Sequence, residues 1–133
     1  MKTRMTKDKH MTQDIYQEQL IDHYKHPRNF KQLEKADLVN RELNPSCGDE
    51  IETYLKLAGD KIIEVGFSGH GCAVSLGVTS MLSEILVGKS LDELEQISKT
   101  TLDELVGVVI GPTRINCELL GLKTFQKSIK QKL

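Results

Sequence analysis

The chain of 133 residues is long enough for one domain with a single hydrophobic core and too short for two. Its 18 basic and 19 acidic residues leave a net charge of −1, whereas nucleic-acid-binding domains carry a clustered basic excess. Aromatic residues make up only 5% and Trp is absent, so no base-stacking surface is expected. Composition and charge therefore exclude nucleic acid as an expected partner.

The N-terminal segment and the cysteine count indicate where the protein works. No stretch approaches the roughly 20 apolar residues of a membrane span, and no apolar signal region follows the basic start. We therefore predict a cytoplasmic protein with no membrane partner. Residues 1–12 are predicted to be disordered, and residues 13–133 to form one domain. Three Cys, an odd number, favour free thiols or metal ligands over a disulfide framework.

The first third of the chain predicts a helix, a possible strand and a loop. Apolar residues recur at near-helical spacing from Asp14 to His26, where Pro27 ends the pattern. A short strand is possible at Asp37–Arg41. The segment Asn44–Asp49, Asn-Pro-Ser-Cys-Gly-Asp, is dense in turn-forming residues and predicts a loop.

Two clearer strands follow the loop. Glu50–Leu57 alternates between apolar and polar residues, as a half-buried strand does. Lys61–Ser68 is predicted to turn Ile63, Val65 and Phe67 towards the core, and glycine-rich residues then end the strand. A short Gly-containing turn joins the two runs into an antiparallel hairpin. The apolar face of this hairpin needs helices to cover it.

The rest of the chain predicts helices. Cys72–Val87 carries an apolar stripe at helical spacing. Capping boxes beginning at Ser90 and Thr101 predict two short helices, and a last helix is predicted over 113–130. The order helix, strands, helices is typical of an α+β domain.

Each Cys lies at a boundary between predicted elements. Cys47 lies in the loop, Cys72 at the start of a helix and Cys117 in the first turns of the last helix. Thiols near helix N-termini have a lowered pKa. With Asp49, two residues after Cys47, three thiolates could complete a tetrahedral zinc shell, hold iron, or ligate part of a cluster. Spacing alone also allows three separate buried Cys.

Several segments resemble the NifU-like N-terminal domain family, the IscU/SufU-type iron–sulfur assembly proteins. They are Asn44–Asp49, Gly69–Ser75 (Gly-His-Gly-Cys-Ala-Val-Ser), Arg114–Cys117 (Arg-Ile-Asn-Cys) and the upstream Tyr16, Ile21–Tyr24, Pro27 and Asn29. These motifs stand in the family's order and extend from about Tyr16 to the C-terminus.

The resemblance implies a fold, a site and partners. The fold would be α+β, with a small antiparallel three-stranded sheet packed by helices. Cys47, Asp49, Cys72 and Cys117 would surround one zinc, iron or transient [2Fe–2S] site, with Asp49 as ligand or proton shuttle. A cysteine desulfurase would deliver persulfide sulfur to one of these Cys, and downstream proteins would accept the cluster.

The family has two branches, and this chain shares features with both. The IscU-type scaffold has a His directly before the third Cys, where this chain has Asn116. The SufU-type zinc-dependent sulfur acceptor has an Arg three residues before it, as Arg114 is here, but it usually carries an insertion that this chain looks too short to hold fully. Cys47 would be the sulfur acceptor by resemblance to SufU, and Cys117 by resemblance to IscU. We favour Cys47.

Three functions therefore stay open. The chain is a non-enzymatic scaffold that accepts persulfide sulfur, a zinc-dependent sulfurtransferase that never carries a cluster, or a structural zinc domain. The Cys and Asp set is unusual for a structural zinc site. Arg114 could steady the persulfide or the partner. His70 could be an alternate ligand, although an exposed loop His is the favoured interpretation.

Overall fold

A three-stranded antiparallel sheet in the order β1-β2-β3 organises the domain. The computed structural model describes residues 2–45 and 48–132, and within them the side chains of residues 14–131. β1 spans Leu38–Asn44, β2 spans Asp49–Ala58 and β3 spans Lys61–His70. The three predicted strands are confirmed. β3 continues beyond its predicted end because Gly69 still pairs with Ile51 of β2.

The described residues form five α-helices in addition to the sheet, which confirms the α+β class. They are α1 (Lys2–Lys25), α2 (Ala73–Leu86), α3 (Leu91–Gln96), α4 (Lys99–Val106) and α5 (Ile115–Ser128). Short 3₁₀ turns at Pro112–Arg114 and Ile129–Lys132 flank α5. Helices α2 and α5 lie on the sheet, and α1 packs on α2. None of the helices among the described residues combines the length and apolar character that a membrane span requires.

Helix α1 begins at Lys2, before the predicted start at Asp14. The earlier residues are polar and show no apolar stripe, so periodicity could not find this extension. The side chains of residues 2–13 lie outside the described residues. The division of the chain at residue 12 therefore stays a prediction.

The core lies between the sheet and the helix pair α2–α5. Leu55 and Val65 of the sheet pack in one cluster with Leu82 of α2 and Phe125 of α5. The two helices approach closely at Gly121, where an added Cβ would lie 2.1 Å from Thr79 Oγ1. This close contact fixes α5, and hence Cys117 near its start, relative to α2.

A register shift in the β2–β3 hairpin shows that the prediction of Ile63 as a core-facing residue was wrong. The pairing passes from Lys56–Glu64 to Leu57–Ile62, so Ile63 is the extra residue. Such a bulge interrupts the alternation of side chains. Ile62 is therefore fully buried and Ile63 is 49% exposed, while Val65 and Phe67 are buried as predicted.

One of the two predicted helix caps is confirmed and the other is wrong. The capping box of Ser90 and Glu93 is present at the start of α3. Helix α4 begins earlier than predicted, because Ser98 is its cap and accepts the Thr101 N–H at 3.5 Å. The predicted box at Thr101 was therefore wrong, since Thr101 is already inside the helix.

The outer edge of β1 is covered locally by the C-terminal turn. The Gln131 side-chain amide accepts the Val39 N–H at 3.1 Å and donates to the Val39 carbonyl. A side chain thus takes the place of a neighbouring strand at this residue.

Candidate metal centre

The turn between β1 and β2 brings Asp49 to the end of the sheet. Asn44 ends β1 and pairs directly with Asp49, the first residue of β2. The Gly48 N–H donates to the Asn44 carbonyl at 2.8 Å, and Gly48 has φ +75°, which favours glycine. Asp49 is buried. Cys47, predicted as a ligand and as the sulfur acceptor, lies outside the described residues.

Cys72 occupies the N-cap of α2. Its Sγ accepts the Ser75 N–H at 3.5 Å, the position that a Ser or Asp oxygen usually takes in a cap. The Ser75 hydroxyl lies 3.7 Å from the same sulfur. On its other side, Cys72 Sγ lies 3.6 Å from Asp49 Oδ2.

Gly71 makes this approach possible. A Cβ at position 71 would lie 2.3 Å from Ser75 Oγ and 3.0 Å from Asp49 Cγ. Because both neighbours belong to the site, any larger residue would push apart the groups around Cys72. The glycine before Cys72 is therefore required by close packing.

Cys117 lies in the first turn of α5 and is only 1% exposed. The Asn44 side-chain amide donates to its sulfur across 3.7 Å. The helix start thus places a third ligand atom beside Asp49 and Cys72.

Three of the four predicted ligands come together. One ligand atom from each of Asp49, Cys72 and Cys117 lies within 4.8 Å of the other two, the one such group among the described residues. A tetrahedral zinc with bonds of about 2.0–2.3 Å separates its ligand atoms by roughly 3.3–3.8 Å. The 3.6 Å from Cys72 to Asp49 fits this geometry. The donor set therefore suits zinc or iron, with a fourth position left for another ligand.

The hydrogen bonds around Cys72 favour its thiolate. Burial by itself raises the pKa of Cys72, but the Ser75 N–H and hydroxyl and the nearby Cys117 bring it below the usual thiol value. Arg114, at the end of the 3₁₀ turn, interacts with Cys72 and Cys117, whose negative charge raises the pKa of its guanidinium. A permanent cation therefore lies beside the sulfur atoms.

Glu118 is a buried acid that the sequence patterns did not single out. It directly follows Cys117, is fully buried, and has Oε1 3.8 Å from Lys99 Nζ. Burial, followed by the nearby Asp103 carboxylate, raises the pKa of Glu118 to about 7. Its place in the first turn of an amphipathic helix gave no signal, because its burial and its neighbours Lys99 and Asp103 of α4 come from tertiary structure.

Two other residues of the motifs point away from the three ligands. His70 Nε2 lies 3.4 Å from Glu50 Oε1, its neighbour across the β2–β3 pair. Glu50 and Asp49 are successive strand residues, so their side chains lie on opposite faces. His70 therefore lies on the outer face of the sheet in this structure. Asn116 is exposed at the start of α5.

Comparison with known proteins places this geometry in a family. The model of the NifU-like N terminal domain matches residues 15–132. The chain belongs to this family. The predicted resemblance is thereby confirmed over nearly the whole chain, and the fold class agrees with that of the family's solved structures.

The relatives of this NifU-like chain include both branches. It is 31% identical over 132 residues to the zinc-dependent sulfurtransferase SufU of Bacillus subtilis, covering 86% of this chain and 89% of SufU. It is 37% identical over 121 residues to the iron–sulfur cluster assembly scaffold protein IscU of Aquifex aeolicus, covering 89% and 76%.

A solved structure supports the same placement. The putative SUF-system scaffold protein of Fervidobacterium islandicum superposes with a TM-score of 0.73 at 30% identity, covering 84% of this chain and 94% of that one. The N-terminal NifU-like protein of Brucella abortus has a TM-score of 0.73 at 18% identity and shows the shared fold.

Proposed function

We propose that this chain accepts persulfide sulfur from a cysteine desulfurase and relays it for iron–sulfur cluster assembly in the cytoplasm. Its site would consist of Cys47, Asp49, Cys72 and Cys117, with zinc as the metal. The observation that carries the proposal is the meeting of Asp49, Cys72 and Cys117 within 4.8 Å. Arg114 beside Cys72 and the sulfurtransferase relative support the relay.

The proposed transfer is a thiol–persulfide exchange. A thiolate of this chain attacks the terminal sulfur of the desulfurase persulfide, a new sulfur–sulfur bond forms, and the donor cysteine leaves as a thiolate. No net oxidation occurs. Zinc, when bound, keeps the thiols deprotonated without redox chemistry of its own. The positive charge of Arg114 would attract and steady the anionic persulfide.

Cys47 is the proposed acceptor among the three thiols. Cys117 is buried, and Cys72 holds the cap of α2, so each would have to give up a structural contact to attack. Cys47 belongs to the loop between two strands. Asp49, whose carboxylate lies beside Cys72, would remain as a ligand or take up the proton of an incoming thiol.

A cluster scaffold is the second candidate. It is supported by the IscU relative, which is 37% identical to this chain. Here iron and sulfur would be substrates, assembled into a [2Fe–2S] cluster on the same Cys and passed to downstream proteins. Asn116 counts against it, because an amide ligates iron poorly.

One anaerobic experiment separates the candidates. The purified protein is incubated with a cysteine desulfurase, cysteine and ferrous iron, and visible absorbance and desulfurase turnover are followed together. Faster turnover without a chromophore, lost when zinc is removed, is expected for the relay. A stable chromophore with stoichiometric sulfide would indicate the scaffold. The variant Cys47→Ser should lose sulfur acceptance, and a variant that is merely less stable would support a structural zinc domain.

A further inference from the structure

Asn44 contacts two parts of the site at once. It is 6% exposed at the end of β1. Its carbonyl accepts the Gly48 N–H at 2.8 Å and so closes the loop that contains Cys47. Its side-chain Nδ2 donates to Cys117 Sγ at 3.7 Å. One residue therefore joins that loop to the helix that carries Cys117.

The amide affects the chemistry of the sulfur as well as its position. Nδ2 is the donor of the Asn side chain, and a thiolate sulfur accepts hydrogen bonds. Such a bond withdraws charge from the sulfur, and it is stronger where the surroundings are dry. Donors to ligating sulfur atoms are known to tune metal affinity and cluster potential.

We propose that Asn44 is a positioning residue that orients Cys117 and limits how strongly its sulfur donates electrons to a bound metal. The proposal rests on the proposed function, because it takes Cys117 as a metal ligand. It adds a role for a residue that itself ligates nothing. Ser75 has the corresponding contact at Cys72, so both described sulfur atoms accept from a fixed donor.

The same strand offers a matched control. Asn40 also ties β1 to α5, because its Nδ2 donates to the Thr124 carbonyl at 3.1 Å. Each Asn therefore donates a side-chain hydrogen bond from β1 to α5, and Asn40 also donates to Glu42 Oε2 at 3.3 Å within its own strand. Only Asn44 reaches a sulfur atom, so Asn40→Ala reproduces the structural loss alone.

The test uses Co²⁺ as a spectroscopic probe in place of zinc. For Asn44→Ala we expect the sulfur-to-cobalt charge-transfer band to move to lower energy, because the sulfur electrons are less stabilised. We expect Co²⁺ affinity to fall about tenfold, because the loss of a fixed Cys117 orientation outweighs the stronger donation by its sulfur. Asn40→Ala should lower the melting temperature and leave the band and the affinity unchanged. In a Cys117→Ser background, Asn44→Ala should no longer move the band.

The outcomes distinguish this inference from the proposed function. A band that stays in place in Asn44→Ala, with only stability lost as in Asn40→Ala, would overturn the positioning role. Failure of every variant, including the unmodified protein, to bind Co²⁺ would overturn the metal site instead. In metal-free protein, Cys117→Ser should shift the NMR signals of the Asn44 side-chain amide and not those of Asn40. Unshifted Asn44 signals would refute the contact itself.

Discussion

At the scale of single residues, Arg114 provides a positive charge beside the proposed sulfur chemistry. Its guanidinium interacts electrostatically with Cys72 while the side chain remains exposed at the start of α5. An exposed Arg at this end of a helix is unfavourable to the helix dipole. The contact with a thiolate compensates for that cost, which argues that the position serves the site.

We expect Arg114→Ala to slow sulfur acceptance about tenfold, since removing one well-placed charge costs on the order of 1–2 kcal/mol. Arg114→Lys should recover part of the rate, because Lys keeps the charge without the planar fork. Zinc content should stay near that of the unmodified protein. Desulfurase turnover and bound zinc, measured on the same samples, check this. Equal turnover in all three proteins would show that Arg114 has no role in sulfur acceptance.

The sequence identified the residues with chemical signatures and missed those defined by packing. Asp49, Cys72 and Cys117 carry metal-binding groups in recognisable motifs, and the structure brings them together. The Asn44 contact joins residues 73 positions apart, which no local pattern encodes. Glu118 could not be distinguished from a surface acid by its sequence position, because only the folded structure shows that it is buried.

At the scale of elements, periodicity located the strands and helices but not every face. Alternation predicts which side of a strand is buried only while the pairing is regular. The bulge at Ile63 breaks that rule, and it is set by the pairing of two strands rather than by either one. The start of a helix likewise depends on which hydroxyl accepts an N–H of its first turn. In α4 the Ser98 hydroxyl accepts the Thr101 N–H, so Ser98 and not Thr101 is the N-cap.

His23 is the titratable group that joins α1 to α2. Its Nδ1 lies 2.7 Å from Ser80 Oγ, which also accepts the Arg28 N–H. Burial, and then the charge of Arg28, lower the pKa of His23, although Glu84 and Asp22 act in the opposite direction. The neutral imidazole is therefore the form that fits this interface.

We expect the contribution of His23 to the free energy of unfolding to fall as the pH drops below about 6.5, the usual His value. The unfolded chain then binds a proton that the folded chain resists, so stability is fully present above that pH and is lost below it. The loss from this one proton cannot exceed about 1.4 kcal/mol per pH unit. Urea unfolding at several pH values measures it. His23→Gln should lose this contribution, so the stability of the variant relative to the unmodified protein should rise as the pH falls. The raised pKa of Glu118 stabilises both proteins at low pH and cancels in this comparison. A stability difference that does not change with pH would point to another group.

At the scale of the whole molecule, the proposed ligands come from separate elements. Asp49 begins β2, Cys72 caps α2 and Cys117 belongs to α5. A metal bound by all three would join the sheet to both helices that cover it. Binding to the folded chain alone then adds to its stability.

We expect zinc removal to lower the melting temperature by roughly 10 °C, since zinc at about 100 times its Kd adds about 2.7 kcal/mol. Calorimetry with and without a chelator, followed by zinc readdition, measures the shift. Cys72→Ser should melt at nearly the same temperature in both conditions. A chelator-insensitive unmodified protein would contradict a metal bound by these elements.

The overall architecture was predictable because its largest features are regular. Alternating strands need a covering layer, and the helices that follow them carry the required apolar stripes. The extension of α1 to Lys2 was not predictable, because its mainly polar residues form no apolar stripe. The motif order supplied the rest through the family resemblance.

The contact of the Gln131 amide with β1 affects how readily this strand can pair with another chain. β1 is an edge strand, because no further strand pairs beyond it among the described residues. The unpaired backbone groups of an open edge can form hydrogen bonds with a strand of another molecule. Any incoming chain must first displace Gln131 from Val39 before its own backbone can pair there. The C-terminal turn thus protects the β1 edge at Val39 against pairing with another chain, which matters for a protein whose proposed function requires contact with other proteins.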